Sequence, residues 1–315
     1  MKIKENLVSL TGGLGNQLFQ LAAALTHFEN VEIGLISTFG APRSSINGKP
    51  EILNFELPDR VSMVNKKKSN FIIRKCIGYN LRMGISPRKY EEILVIKCLI
   101  RLATKLLISL DLHGIFNFTA SKGVGYCNLA SPRKKNLLIG YFQSYRWAFK
   151  SDTISELMTI RPLIASNTLA DLIVESELHK PIFVHVRLGD YLEENDFGIP
   201  SKLYYEKAIS IYMQEKVISS IWLFSDDPTA AIHYIPEKYR SLVRLIPEID
   251  NSATLTLELL RYGDRYILAN SSFSWWGAML AHKEGVRVIA PYPWFKNMES
   301  PIDLIPPNWE TLNPW

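Results

Sequence analysis

Apolar positions recur with two different periods along the chain, and these periods predict strands and helices in alternation. In the first half, a short apolar run at 7–10 is broken by glycines, and apolar residues then recur at helical spacing over 18–25. Further strands are predicted at 31–36 and 137–141. This order of strand, turn, helix and strand is typical of a parallel α/β sheet.

The second half repeats the alternation with shorter connections. Its predicted strands are 182–186, 221–224, 266–269 and 286–290, and its predicted helices are 166–179, 204–214, 254–260 and 275–281. A doubly wound α/β domain requires such a series. Because 315 residues suit two cores better than one, we predict an N-terminal domain at 1–165 and a C-terminal domain at 166–315.

A basic segment stands out in the first half. Residues 60–135 contain 16 Lys or Arg and 3 acids, although the net charge of the whole chain is only +5. Within it, 91–111 predicts a helix on which Lys97, Arg101 and Lys105 form a cationic stripe. The stripe has two interpretations: peripheral contact with an anionic membrane through 66–111, or the solvated edge of a core helix. No nucleic-acid-binding motif accompanies the charge, so no nucleic-acid partner is predicted.

Composition narrows the class of protein. With 47% hydrophobic and 21% charged residues, the chain has the make-up of a folded soluble protein. Its apolar runs are too short for a spanning helix or an N-terminal signal peptide. The three cysteines, Cys76, Cys98 and Cys127, have neither the number of a disulfide framework nor the spacing of a zinc site. These features predict a reducing, cytoplasmic location.

Three polar clusters follow predicted strands of the second half, at the edge of an open α/β sheet where ligands bind. In the first cluster, alternation along the strand places His185 and Arg187 on one face. An arginine fork at a strand end suits a pyrophosphate, because it donates two charge-assisted hydrogen bonds. Asp190 either holds that arginine or caps the following turn. The alternative for the whole cluster is a surface arginine paired with Asp190.

The second cluster is Ser225, Asp226 and Asp227. Its carboxylates suit the N–H groups of a base or the hydroxyls of a ribose, and they equally suit the cap of the next helix. No D-x-D sequence occurs in the chain. We therefore predict that no metal ion bridges a bound diphosphate and that protein cations stabilise the leaving group.

The third cluster consists of small polar residues at a predicted helix start, namely Asn270, Ser271, Ser272 and Ser274. Hydroxyls and backbone N–H groups at such a start favour anion binding. The adjacent Trp275 and Trp276 pack in the core, or one of them stacks on a ligand ring. Near the N-terminus, the glycine loop 12–15 leads into a helix like a phosphate loop, but without the P-loop lysine it is equally well a tight turn.

Taken together, these segments resemble the α-1,2-fucosyltransferases of bacterial polysaccharide synthesis, the eleventh glycosyltransferase family. The resemblance is carried by GGLGNQLFQ (12–20), GYFQS (140–144), HVRLGDY (185–191), FSDD (224–227), NSSFSWWGA (270–278) and IAPYPWF (289–295), in the family's order. It implies a GT-B-like α/β fold of two Rossmann-like domains facing across a cleft. The N-terminal domain would receive the acceptor, and the C-terminal domain would hold GDP-fucose.

The resemblance also implies roles for individual residues. Arg187 would bind the β-phosphate of the donor, His185 the nucleotide, an aspartate of 225–227 the guanine or ribose, and the serines of the third cluster the phosphates. Asn16 would approach the reacting centre. The acceptor side would comprise Gly13, Gly15, Asn16, Gln17, Tyr141 and Gln143. Many members carry a second arginine where this chain has Leu188, which puts that secondary role in doubt.

The implied reaction is a metal-independent, inverting transfer of L-fucose from GDP-β-L-fucose to the 2-hydroxyl of a galactose in a bacterial O-antigen or other surface glycan. GDP-fucose is then a co-substrate, and no cofactor is expected. The acceptor would be lipid-pyrophosphate-linked, at the inner face of the cytoplasmic membrane. Asp190, His185 or a phosphate oxygen would be the general base.

The same residues suggest three other functions. One is a fucosyltransferase of related fold acting on protein or on a lipo-chitin sugar. Another is a nucleotide-sugar- or glycan-binding module without turnover, which Arg187 and the serine cluster disfavour. The third is an NAD-dependent enzyme, disfavoured because the dinucleotide fingerprint is missing.

Overall fold

The chain forms two compact units in the computed structural model. The model describes residues 5–44, 48–65, 69–82, 94–121, 123–129, 131–192, 195–215, 218–301 and 303–315. The N-terminal unit is Met1–Ile160 with Pro301–Leu304, and the C-terminal unit is Arg161–Ser300 with Ile305–Trp315. The predicted boundary at 165 and 166 lies a few residues past this division. The assignment of an acceptor side and a donor side to the two halves stays a prediction.

The N-terminal unit is built on a five-stranded parallel sheet in the order β4-β2-β1-β6-β5. Its sheet consists of β1 (Glu5–Ser9), β2 (Ile33–Ile36), β4 (Val61–Met63), β5 (Asn117–Ala120) and β6 (Lys135–Ile139), and the short strand β3 (Phe55–Glu56) lies outside it. Its helices are α1 (Leu14–His27), α2 (Phe71–Arg82), α3 (Leu94–Asp111), α4 (Tyr145–Ala148) and α5 (Ser151–Thr159). The central strand β1 and the helix α1 are almost wholly buried, which explains the apolar residues that dominate α1.

The C-terminal unit contains a six-stranded parallel sheet in the order β10-β9-β8-β11-β12-β13. Its sheet consists of β8 (Ile182–Val186), β9 (Ile221–Ser225), β10 (Val243–Ile246), β11 (Arg265–Ile267), β12 (Arg287–Pro291) and β13 (Glu310–Leu312), and the short strand β7 (Arg161–Pro162) lies outside it. Its helices are α6 (Asn167–His179), α7 (Lys202–Glu215), α8 (Pro228–Ala231), α9 (Ala253–Leu260) and α10 (Ser272–Met279). Both units are thus Rossmann-like, which confirms the predicted α/β class.

Each sheet contains one point where the strand order reverses. In the C-terminal unit the chain runs from β8 outward through β9 to β10, and then returns to place β11 on the other side of β8. In the N-terminal unit β1 is flanked by β2 on one side and by β6 on the other. Open α/β sheets bind ligands at the carboxyl ends of the strands that flank such a switch point. The two candidate locations are therefore the ends of β8 and β11, and the ends of β1 and β6.

Three tyrosines of α7 fasten this helix to the C-terminal sheet. The hydroxyl of Tyr204 donates to the carbonyl of Leu268 at 2.7 Å, and that of Tyr205 donates to the carbonyl of His185 at 3.2 Å. Tyr212 bonds in the same way to Tyr266 at 3.1 Å. All three rings are fully buried, and burial raises the pKa of Tyr204 and Tyr205 well above the ordinary tyrosine value. The helix thereby fixes the ends of β8 and β11 relative to each other.

Most of the predicted elements are confirmed within a few residues, including β8 and the helix α6, whose cap is Ser166. The predicted helix 91–111 corresponds to α3, and residues 91–93 lie outside the described ranges. Across the described residues, no helix combines the length and the apolar content that crossing a membrane requires.

Candidate active site

The three polar clusters of the second half meet at the carboxyl edge of the C-terminal sheet. His185 at the end of β8 lies beside Phe273 in the first turn of α10, with ring centroids 6.0 Å apart. The hydroxyl of Tyr191 donates to the carbonyl of Asn270 at 3.0 Å, and this joins the segment after β8 to the segment after β11. The predicted residues therefore converge at the switch point of the sheet.

Arg187 is held in place by Asp226, which follows β9. Nη1 of Arg187 lies 3.2 Å from Oδ2 of Asp226, and the two side chains are only 17% and 24% exposed. The other oxygen of this carboxylate accepts a hydrogen bond from the backbone N–H of Leu188 at 3.0 Å. The guanidinium also lies over the ring of Tyr191, at 5.8 Å. A partly buried, oriented arginine is well placed to bind an anion.

The sequence did not predict this partner for Arg187. Asp190 was expected to hold the arginine or to cap the next turn. Its backbone lies in the short 3₁₀ turn Gly189–Leu192, and its side chain lies outside what the structure describes. The neighbouring Gly189 explains how the Asp226 carboxylate comes so close, because a Cβ at residue 189 would lie 2.3 Å from Oδ2 of Asp226.

His185 is neutral at physiological pH. It is 6% exposed, and burial together with the positive charge of Arg187 lowers its pKa to about 3, against a smaller opposing effect of Asp226. Its Nδ1 is buried and finds no hydrogen-bond partner among the described residues. A buried polar atom of this kind requires an explanation, and a polar group of a ligand would supply one.

The two carboxylates after β9 have different environments. Oδ1 of Asp227 accepts from the N–H of Ala230 at 3.0 Å and caps α8, so the capping interpretation is confirmed for this residue. Ser225 accepts from the N–H of Asp227 at 3.1 Å and stabilises the same turn. Asp226 instead faces Arg187. Their predicted contacts with guanine or ribose stay predictions.

The serine cluster begins α10 earlier than its sequence suggested. The helix starts at Ser272, not at residue 275, and Ser271 is its cap, with Oγ accepting from the N–H of Phe273 at 3.4 Å. Ser274 is 1% exposed and donates to the carbonyl of Ser271 at 3.3 Å, whereas Ser272 is partly exposed. Ser272 and the backbone N–H groups of the first turn are the better placed of these groups for an anion.

The side-chain amide of Asn270 forms hydrogen bonds within the protein. Its amide nitrogen donates to the carbonyls of Phe197 and Gly198, both at 3.0 Å, and its buried Oδ1 has no partner among the described residues. Trp275 and Trp276 are both fully buried, so both pack in the core.

The predicted polar residues of the N-terminal unit meet at its own switch point. Nε2 of Gln143, after β6, donates to Oδ1 of Asn16 at 2.7 Å, near the start of α1. Gln20 connects the same two strand ends, because it accepts from the N–H of Thr11 at 3.0 Å and donates to the carbonyl of Gly140 at 2.9 Å. The predicted Asn16 and Gln143 are therefore in direct contact.

The glycine loop of this unit is a tight turn, and the carboxylate of Glu51 already binds the start of the helix that follows the loop. Gly12 has φ +73°, and a Cβ there would lie 2.4 Å from the amide nitrogen of Asn16. The N–H of Leu14 donates to a buried carboxylate oxygen of Glu51 at 2.8 Å. Gln17 is fully buried and bonds to the carbonyl of Gly12 and the N–H of Ile52, both at 2.9 Å.

The remaining predicted residues on this side have mixed positions. Gly13 is the cap residue of α1, Gly15 is buried within that helix, and Tyr141, two residues before Gln143, is partly exposed. No group of three or more His, Cys, Asp or Glu side chains is placed to hold a metal ion in the part of the chain that the structure describes.

Sequence reasoning missed several supports of these sites. Tyr191, the carbonyls of Phe197 and Gly198, and Glu51 are fixed only by the tertiary fold. The one local signal was the position of Tyr191 inside the HVRLGDY segment.

Comparisons with known proteins establish the family of the chain. The model of Glycosyl transferase family 11 matches residues 7–313. An alpha-1,2-colitosyltransferase of Escherichia coli is 26% identical and spans 95% of this chain and 96% of that protein. The O-antigen biosynthesis glycosyltransferase WbnK of Escherichia coli is 27% identical over 91% of this chain and 93% of that protein. A galactoside 2-alpha-L-fucosyltransferase of Caenorhabditis elegans is 25% identical over 57% of this chain and 54% of that protein. Because the family model matches nearly the whole chain, the protein is a glycosyltransferase enzyme that belongs to glycosyl transferase family 11.

Proposed function

We propose that this enzyme transfers L-fucose from GDP-β-L-fucose to the 2-hydroxyl of a galactose in a bacterial surface glycan, with inversion and without a metal ion. The observation that carries the proposal is Arg187, oriented by Asp226 at the switch point of the C-terminal sheet. A guanidinium there suits the diphosphate of a nucleotide sugar.

The mechanism follows from where charge develops. As the bond from the anomeric carbon of fucose to the GDP oxygen breaks, negative charge grows on the β-phosphate and positive charge on the sugar ring. Arg187 and the first turn of α10 with Ser272 are the groups that stabilise the departing diphosphate. The galactose oxygen attacks from the opposite face, which converts the β-linked donor to an α-linked product.

The acceptor hydroxyl must lose its proton in the same step. With its pKa near 3, His185 is a weak base at neutral pH and a poor candidate for this task. Asp190 and an oxygen of the donor diphosphate remain as candidates. His185 instead suits a neutral hydrogen-bonding contact with the nucleotide through its buried Nδ1. In the N-terminal unit, the pair of Asn16 and Gln143 would bind the acceptor.

The relatives support the linkage and the acceptor class. Two of them are named for α-1,2-colitosyl and galactoside 2-α-L-fucosyl transfer, and a third for O-antigen biosynthesis. We infer that the acceptor is a galactose-terminated oligosaccharide on a lipid pyrophosphate, so the enzyme would work in the cytoplasm close to the inner face of the membrane. Because one relative is an alpha-1,2-colitosyltransferase, colitose is the alternative to fucose as the sugar of the donor.

An assay with galactose-terminated acceptors in EDTA tests the proposal. Wild type should release GDP from GDP-fucose and yield an α-1,2-linked product by linkage analysis. Arg187→Ala should lose about 10²–10³ in rate, as expected for one lost transition-state donor. Arg244→Ala is the matched control, because Arg244 lies in the same sheet and also pairs with a carboxylate, that of Glu175.

Four outcomes would contradict the proposal. Full turnover by Arg187→Ala would exclude the central role of this arginine, and loss of wild-type turnover in EDTA would exclude the metal-independent reaction. Faster transfer from the colitose donor than from GDP-fucose would assign a different sugar. Binding of GDP-fucose without GDP release on any acceptor would indicate a binding module.

A further inference from the structure

The outer face of α3 carries an apolar stripe. Leu99, Leu102, Leu106 and Leu110 are 58%, 66%, 62% and 64% exposed. At about 100° per residue, they lie within about 80° of one another around the helix. The opposite face is already packed, because Thr104 and Ile108 are fully buried. The helix is therefore apolar on both faces, unlike an ordinary surface helix. We call these four leucines the leucine stripe.

Cations flank the leucine stripe. Arg101 and Lys105 are exposed and lie between the buried face and the stripe, one turn apart. The third predicted member of this row, Lys97, has a side chain outside the described part of the structure. Among the described residues of α2 and α3, the only acid is Asp111, at the end of α3. In the described part of α2 and α3, the surface around the leucine stripe is thus apolar and positively charged, with Asp111 at its C-terminal end.

The neighbouring helix extends the same character. Phe71 and Ile72 at the start of α2 are 60% and 61% exposed, and the ammonium of Lys75 lies 4.7 Å from the ring centre of Phe71. The inner faces of the two helices pack into one core, where Ile73 and Ile77 of α2 join Ile108 of α3. Exposed apolar patches of this extent mark interaction sites.

We propose that the leucine stripe docks on an anionic lipid surface, with the leucines inserted between headgroups and the cations bound to them. A helix lying in a membrane plane combines these two features, an apolar face and flanking Lys or Arg. A second copy of the chain fits less well, because a twofold contact through the stripe would bring Arg101 and Lys105 of both copies together without acids to pair them. The docking itself does not depend on the proposed function. Only its purpose, access to a lipid-linked acceptor, rests on that function.

Vesicle sedimentation of the purified full chain tests the docking. Wild type should bind phosphatidylcholine vesicles that contain phosphatidylglycerol, and bind more weakly to phosphatidylcholine alone. Leu102→Ser with Leu106→Ser should weaken binding at least tenfold. Arg101→Gln with Lys105→Gln should weaken it about fivefold for each cation removed, and only at low salt.

A matched control lies on the other unit. Val174 and Leu178 form an exposed apolar pair one turn apart on α6, 67% and 74% exposed, so Val174→Ser with Leu178→Ser should bind vesicles like wild type. Turnover of a soluble acceptor should be unchanged in the leucine variant. If wild type bound vesicles but failed on every acceptor, the docking would stand and the proposed function would fall.

Two results would overturn the docking whatever the activity. One is an absence of wild-type binding to the anionic vesicles, or equal binding by the leucine variant. The other is a dimer in light scattering that Leu102→Ser with Leu106→Ser dissociates, which would assign the stripe to contact between copies.

Discussion

Arg187 is oriented by the residues around it, and its side chain remains 17% exposed. Asp226 forms the ion pair, the N–H of Leu188 fixes the Asp226 carboxylate, and Tyr191 lies beneath the guanidinium. Preorganised charge of this kind contributes to catalysis because it needs no rearrangement as the leaving group forms. Leu188 itself is buried and packs in the core with Val184 and Val186.

Substitution of Gly189 tests this orientation while both members of the ion pair, Arg187 and Asp226, are kept. The added methyl in Gly189→Ala would lie 2.3 Å from Oδ2 of Asp226, and the carboxylate must rotate away from Arg187. We expect turnover to fall about tenfold, in line with coupling energies of about 1–2 kcal/mol for contacting residues, while thermal stability stays near wild type. The same change in an Asp226→Ala background should have little further effect. Additive losses in this double-mutant cycle would refute the steric account.

The protonation of His185 gives a second prediction at this scale. Its pKa is lowered to about 3 from 6.5, so between these values the unfolded chain binds a proton that the folded chain does not. This residue should therefore reduce stability as the pH falls through that window. His185→Asn should lose about 2 kcal/mol less stability than wild type between pH 7 and pH 5. In NMR spectra, the ring protons of His185 should not titrate between pH 8 and pH 5; an ordinary titration near 6.5 would contradict the burial argument.

At the scale of elements, a buried ion pair supports the helix that carries the serine cluster. Glu258 of α9 and Arg261 are 2.8 Å apart and nearly inaccessible, and Nε of Arg261 donates to the carbonyl of Leu280 just after α10. Burial acts to raise the pKa of Glu258, but its hydrogen bond with His282 and the charge of Arg261 prevail and lower it. The carboxylate is therefore ionised at neutral pH, and its contribution to stability is lost only on acidification below its ordinary pKa.

Removing one member of this pair should be more damaging than removing both. Glu258→Gln leaves the Arg261 charge buried and should cost about 3 kcal/mol in denaturant unfolding. Glu258→Leu combined with Arg261→Met should recover most of that loss, because apolar groups of similar size need no partner. A double variant less stable than the single one would show that the charges themselves are required.

Buried elements could be predicted from the sequence more accurately than exposed ones. β8 and α6 were found almost to the residue, because an unbroken apolar run and a serine cap are local signals. The start of α10 was placed late, since Ser271 and Ser272 look like loop residues until the cap forms. The strand β10 was missed because much of it is exposed and Arg244 interrupts its pattern. The sequence predicts α3 as an apolar helix with a cationic stripe. It does not show which leucines of α3 face outward, since periodicity alone does not reveal which face of a helix is covered.

At the scale of the whole molecule, the two units share one arrangement of sheet and candidate site. Each unit is a parallel sheet, and in each the predicted polar residues gather where the strand order reverses. Sequence spacing could place His185 and Arg187 at a strand end, but only the strand order could bring His185 beside Phe273 at the start of α10. The pairing of Arg187 with Asp226 depended on the adjacency of β8 and β9, which no local pattern reveals.

Calorimetric titration of GDP and of guanosine into wild type and Arg187→Ala tests the central claim most directly, because it isolates the diphosphate from the chemistry. Wild type should prefer GDP to guanosine, and the substitution should weaken GDP binding at least tenfold, as expected for a charge-assisted contact worth about 1.5–3 kcal/mol. Guanosine affinity should stay the same. Equal affinity of wild type and Arg187→Ala for GDP would contradict the account.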